Sequence, residues 1–281
     1  IEDNPSYEAA GIRLMSMLEH TAFPTSVEKI HRMNEFVDNN SSDALIIDPE
    51  NELIVERGLK GSLMRYRLMN LISKEVYYEK ISTNTLERST LSKNGEVFVF
   101  SEDTQNSESQ ITIYNRVAQK SSVIEGLRDL AWFNISNDGE NLLVRYLQKG
   151  FFVYSTEKSK IIYEYEHQSK NGELPYRVGI SPDGMKVAMV LKGENELELQ
   201  ILDIASGNIK TIRKYSLDTT YNSLFSFTED MESIDFIAVG IKADSFHKIV
   251  ERINLASTEF IDLRAGLYGG PGLPGSFVND S

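Results

Sequence analysis

From about residue 44 onward, short apolar runs alternate with polar turns at a nearly constant interval. Ser92-Lys93-Asn94-Gly95, Ser136-Asn137-Asp138-Gly139, Ser181-Pro182-Asp183-Gly184 and Thr228-Glu229-Asp230-Met231 start 44, 45 and 47 residues apart. A step of 44 residues back from Ser92 reaches another turn-forming tetrapeptide, Asp48-Pro49-Glu50-Asn51. Ser or Asp in first place accepts hydrogen bonds from the backbone ahead of it, Pro presets φ, and Gly tolerates φ > 0. Each turn is followed by a β-rich run, such as Val97-Phe98-Val99-Phe100, Leu142-Leu143-Val144 or Val187-Ala188-Met189-Val190. Turn and run together predict a hairpin.

Two further strands follow in each unit. Leu197 to Leu202 alternates apolar and polar positions as a half-buried strand does. The turn Asp203-Ile204-Ala205-Ser206-Gly207 then leads into Asn208 to Ile212, with Gly207 expected at φ > 0. Four short strands in ~45 residues is the period of a propeller blade. The predicted fold is therefore all-β: a β-propeller of about five four-stranded blades over residues 44–265. Five blades can close a ring, but six or seven are more usual, so a partner that completes or caps an open propeller is part of the expectation. The innermost strands are predicted at Leu45–Ile47, Arg88–Leu91, Trp132–Ile135, Arg177–Ile180 and Leu224–Phe227.

At these turns the sequence resembles the broad WD-repeat and TolB-like propeller superfamily. The Ser181–Gly184 and Asp203–Gly207 turns match its blade signatures in full, and the other blades match loosely. The Gly-His and Trp-Asp dipeptides of true WD repeats are missing. The resemblance covers about residues 44–263 and implies a fold, not a function.

The flanks differ in kind. Residues 1–43 predict a short N-terminal helical hairpin: Tyr7, Leu14, Met15 and Leu18 mark one apolar face, and Thr25 to Glu28 fits a capping box ahead of Val27, Ile30, Met33 and Val37. Such a hairpin would cover a blade edge or dock a partner. Residues 266–281 read as a Gly/Pro-rich flexible tail.

Composition narrows the classes. The net charge of −13 and the lack of a basic run argue against nucleic-acid binding and against an anionic membrane surface. With no cysteine, disulfides, thiolate metal sites and cysteine nucleophiles drop out. No apolar run reaches the ~20 residues of a spanning helix, so no membrane insertion is expected. The expected compartment is the cytoplasm, or outside it if a signal sequence precedes Ile1.

Candidate chemistry is sparse. Gly270 to Gly275 fits G-x-G-x-x-G literally, but its prolines forbid the helix that a dinucleotide site requires. His20, His31, His167 and His247 show no ligand spacing, and neither metal nor other cofactor is expected. The predicted innermost strands carry no Asp, Glu or His, which weakens a glycosidase reading without removing loop carboxylates such as Asp129 and Asp218. No catalytic residue is assigned. The expectation is a non-catalytic interaction, scaffold or sensing propeller that binds another protein or a peptide. A propeller hydrolase or lyase with its site at the channel mouth, and an exported TolB-like accessory protein, are the alternatives. The loops between blades, with the Lys242–His247 loop that opens on the same face, hold Arg128, Tyr176, Arg177, Tyr215, Tyr221 and Phe246, residue types enriched in binding hot spots, and these six form the predicted patch.

Overall fold

The computed structural model describes residues 43–263 except 61, 85, 105–107, 148–149, 167–174, 194–195, 217–218 and 243–244. Twenty strands form five four-stranded antiparallel sheets, each of four strands consecutive in the sequence. Blade 1 is β1 (Asp43–Asp48), β2 (Leu53–Lys60), β3 (Leu63–Asn70) and β4 (Val76–Ser82). Blade 2 is β5 (Leu86–Leu91), β6 (Val97–Asp103), β7 (Glu108–Asn115) and β8 (Lys120–Arg128). Blade 3 is β9 (Leu130–Ile135), β10 (Asn141–Tyr146), β11 (Gly150–Ser155) and β12 (Lys160–Glu166). Blade 4 is β13 (Pro175–Ile180), β14 (Lys186–Lys192), β15 (Glu196–Asp203) and β16 (Ile209–Ser216). Blade 5 is β17 (Thr219–Phe227), β18 (Ser233–Lys242), β19 (Ser245–Asn254) and β20 (Phe260–Asp262). The fold is a β-propeller of five described blades. The helical hairpin expected before Asp43 and the tail from 266 lie outside the described residues.

Period-two geometry explains the apolar second strands. Successive side chains of a strand point to opposite faces, and each inner blade has a neighbour on both. In β6, Val97 and Val99 pack toward Phe133 and Leu142 of blade 3, while Phe98 and Phe100 pack toward Leu53 and Tyr66 of blade 1. In β10, Leu142 and Val144 face blade 2 and Leu143 faces Val178 and Met189 of blade 4. β18 differs: Ile234, Phe236 and Ala238 join the core with blade 4, while Ile237 between them is exposed. Four clusters thus join blades 1–2, 2–3, 3–4 and 4–5.

One end of the propeller is knitted by its turns. In the first turn of blades 2, 3, 4 and 5, the hydroxyl of Ser92, Ser136, Ser181 or Thr228 accepts from the amide five residues on, at 2.9–3.1 Å. The same hydroxyl donates to the side chain two residues on: Asn94, Asp138, Asp183 or Asp230. Fourth in these turns stand Gly95, Gly139, Gly184 and Met231, all at positive φ. The second turns repeat as strictly. Asn70, Asn115, Ser155, Asp203 and Asn254 each accept from the amide three residues on. Positive φ recurs at Lys74, Gln119, Ser159, Gly207 and Thr258, so Gly207 takes the left-handed conformation expected of it, at φ 71°. In every blade an amide of the second turn reaches a carbonyl of the first, as in Arg116 N to Glu96 O at 2.8 Å and Leu255 N to Glu232 O at 2.8 Å. Both turns therefore lie at one end of each blade, and the inter-blade connections at the other.

Candidate functional site

The innermost strands β1, β5, β9, β13 and β17 are neighbours in that order around a central channel. The channel encloses a cavity of about 670 Å³. At its turn end Lys93 of blade 2 pairs with Glu229 of blade 5 at 2.8 Å, both side chains being more than half exposed. The pairing raises the pKa of the Lys93 ammonium and lowers that of the Glu229 carboxyl, through the hydrogen bond first and the charges second.

Toward the loop end, the repeat builds a layer. Counted back four residues from the first residue of each turn, the inner strands present Arg88, Trp132, Arg177 and Leu224, and all four line the cavity. Two residues nearer the turns stand Asn134, Gly179 and Ser226, also lining it. Gly179 makes room for a neighbour, since a Cβ there would lie 2.8 Å from the Phe225 ring of blade 5. Arg145 joins from the second strand of blade 3, where it pairs with Trp132 across the sheet. Its Nη2 donates to the Pro175 carbonyl at 2.8 Å, tying blade 3 to the start of β13. Burial, and then the charge of nearby Arg177, lower the pKa of its guanidinium. Two arginines are thus held close in a half-buried setting. Tyr176 occupies a bulge at the start of β13. Two cations lie over its ring, the Arg177 guanidinium at 5.2 Å and the Lys192 ammonium at 5.8 Å. Glu229 is the acid among the described lining residues.

The six predicted patch residues have separate fates. Tyr176 and Arg177 stand together, with Arg177 lining the cavity. Arg128 ends β8, exposed, and pairs with Glu108 at 3.0 Å. Tyr215 is a packing residue rather than a contact residue. It is 8% exposed, stacks on Phe236 at 5.0 Å and donates its hydroxyl to Glu251 Oε2 at 2.8 Å. Burial, and then Glu251, push its phenol far above the ordinary tyrosine range. Tyr221 is the bulge residue between Thr220 and Asn222 in β17, and Phe246 pairs with Ile241 across β18 and β19. The side chains of Tyr221 and Phe246, together with His167 and Asp218, lie outside the described residues. Asp129 adopts φ 58° at the junction of β8 and β9, where its carbonyl accepts from Leu147 N at 2.8 Å.

Sequence reasoning missed Arg88, Trp132 and Arg145 as site residues. Alignment of the inner strands on their turns brings the first two into one layer with Arg177. Arg145 on β10 has no such signal.

No protein-family model and no curated protein matches the sequence. Solved structures match at the level of fold. The β-propeller domain of the Trilobed protease from Pyrococcus furiosus, described as having an open velcro topology, aligns with a TM-score of 0.56 at 14% identity, over 81% of this chain and 73% of that one. An oligogalacturonate lyase in complex with manganese aligns at 0.55 and 11%, over 78% and 63%. A prolyl endopeptidase aligns at 0.54 and 10%, over 79% and 36%. The chain spans less than two thirds of the length of the oligogalacturonate lyase and of the prolyl endopeptidase that it matches. Likeness at this identity establishes architecture and no more, and on that footing the chain is a β-propeller.

Proposed function

We propose that this propeller is a non-catalytic binding module, whose partner is another protein or a peptide seated over the loop-end mouth of the channel. The observation that carries the reading is the cation-contacted Tyr176, beside Arg177 at the rim of a cavity that Trp132 and Arg145 also line. Tyr, Trp and Arg combine large apolar area with directional polar groups, and they dominate binding hot spots. The turn end is knitted by backbone hydrogen bonds within and between blades, and Tyr176 and Arg177 stand at the opposite end.

The test is affinity capture from source lysate, quantified by mass spectrometry, with wild type, Tyr176→Ala/Arg177→Ala and a turn-end control, Lys158→Ala. The reading expects a protein captured by wild type and the control and depleted at least about tenfold by the double variant, the factor equivalent to ~1.4 kcal/mol. Equal capture by a folded double variant moves the interface off the loop end.

A further inference from the structure

We infer that the loop-end half of the central channel is a carboxylate-binding site, built for a ligand that carries two or more carboxylates. The inference rests on the proposal that the partner sits at this mouth, and it names the chemistry recognised there.

Charge is the first ground. In a chain of net charge −13, the described residues that line the cavity include Arg88, Lys93, Arg145 and Arg177 and one acid, Glu229, which pairs with Lys93 at the opposite end. The described lining of the loop-end half is therefore cationic in an acidic protein, and a cleft of one sign concentrates counter-ions of the other. Placement is the second ground. Arg88 and Arg177 occupy the same level of the channel on β5 and β13, with Trp132 of β9 between them. The guanidinium fork matches a carboxylate or a phosphate in bidentate geometry. Arg88 and Arg177 are set apart by an intervening strand, which suits several separate monoanions better than one compact dianion. Energetics agree. Burial first, and the neighbouring Arg177 charge second, lower the pKa of Arg145, and a bound anion offsets both. Trp132 and Phe225 add apolar surface for a ligand backbone.

The shared chemistry, clustered carboxylates, comes from an acidic protein segment or from a free polycarboxylate. Trp132 is the sole tryptophan of the chain and lines the cavity, so its fluorescence reports occupancy directly. We would titrate the whole chain with tetraglutamate, tetraglutamine, citrate and inorganic phosphate, and repeat the titrations on Arg88→Gln and Arg177→Gln. Saturable quenching by tetraglutamate but not by tetraglutamine, weakened about tenfold by either substitution and suppressed by salt, is the expected result. Arg88 is exposed, so Arg88→Gln keeps the fold even if Arg177→Gln does not. Saturation by citrate alone, with the same dependence on arginine, supports the site, assigns it to a free polycarboxylate and counts against a peptide partner. Phosphate binding as tightly as either carboxylate probe, or affinities unchanged in Arg88→Gln, overturns the inference. A protein captured through Tyr176 would then still stand as a partner recognised by other chemistry.

Discussion

Replacing Gly139 and Gly207 with alanine separates two costs that the turns combine. Both glycines have positive φ, 78° and 71°. A side chain in that region costs ~1–2 kcal/mol in backbone strain. At Gly207 nothing is added, because an ideal Cβ would lie 3.7 Å from its nearest neighbour, Tyr163 Cε2. The other blades carry Lys74, Gln119, Ser159 and Thr258 at this position, so the conformation accepts side chains at a price of about that size. At Gly139 the Cβ would stand 2.6 Å from Cγ2 and 2.9 Å from Cβ of Val97, a stiff β-branched residue in the core between blades 2 and 3. Overpacking of that kind adds ~1–3 kcal/mol. Gly207→Ala should therefore cost about 1–2 kcal/mol and Gly139→Ala about 2–5 kcal/mol. Urea unfolding followed by far-UV circular dichroism gives both values, and melting should drop by ~2–4 °C per kcal/mol for a domain of this size. If Gly207→Ala proves as damaging as Gly139→Ala, the close approach of blade 3 to blade 2 at the turn end is not what restricts Gly139.

Tyr215→Phe should destabilise by ~1–2 kcal/mol, since it removes a hydrogen bond to the Glu251 carboxylate, which keeps its ion pair with Arg213, while leaving the stacked ring in place. The same variant should capture partners as wild type does, and reduced capture at full stability would return Tyr215 to the binding surface. Lys214 hydrogen-bonds the Glu198 carboxylate and is the leading cause of its lowered pKa, relative to an ordinary value of 4.5. A carboxyl whose folded-state pKa is depressed contributes stability that is present above the unfolded value and lost as pH falls through the folded one. Lys214→Met should accordingly shrink the drop in urea midpoint below pH 4.5. A profile identical to that of wild type would mean that solvent already screens this half-exposed pair.

Architecture was legible in the sequence because it rests on turn chemistry. The first turns recur with side chains whose roles are visible by type, Ser or Thr first and Asn or Asp third. The second turns were recognised in full at Asp203–Gly207 alone. The structure has the same turn in all five blades, since its requirements are a side-chain acceptor first and a left-handed residue fifth. Lys74, Gln119 and Thr258 meet the second requirement without advertising it. The site was harder to read because strand parity decides which residues face the solvent. β16 contains a bulge at Ile212, between the pairs Leu199–Arg213 and Gln200–Thr211. That extra residue resets the alternation, so Ile212 and Tyr215 are both buried although three residues apart. A loop-flanking tyrosine thereby becomes core. Arg177 and Tyr176 were named from the sequence because they begin a strand next to a long connection. Arg145 needed the sheet register.

Building each sheet from four consecutive strands has a consequence for synthesis. A propeller whose last blade borrows a strand from the start of the chain cannot finish that blade until translation ends. Here blades 1 to 5 each complete within their own stretch of about 45 residues, and each core cluster joins a blade to the one just before it. At ~5–20 residues per second, a ribosome releases a new blade every few seconds. Every face that a finished blade exposes toward its successor stays open for about that long before the next sheet covers it. These five blades can thus grow one by one on the ribosome, with the earliest interfaces settled while the fifth blade is still being made.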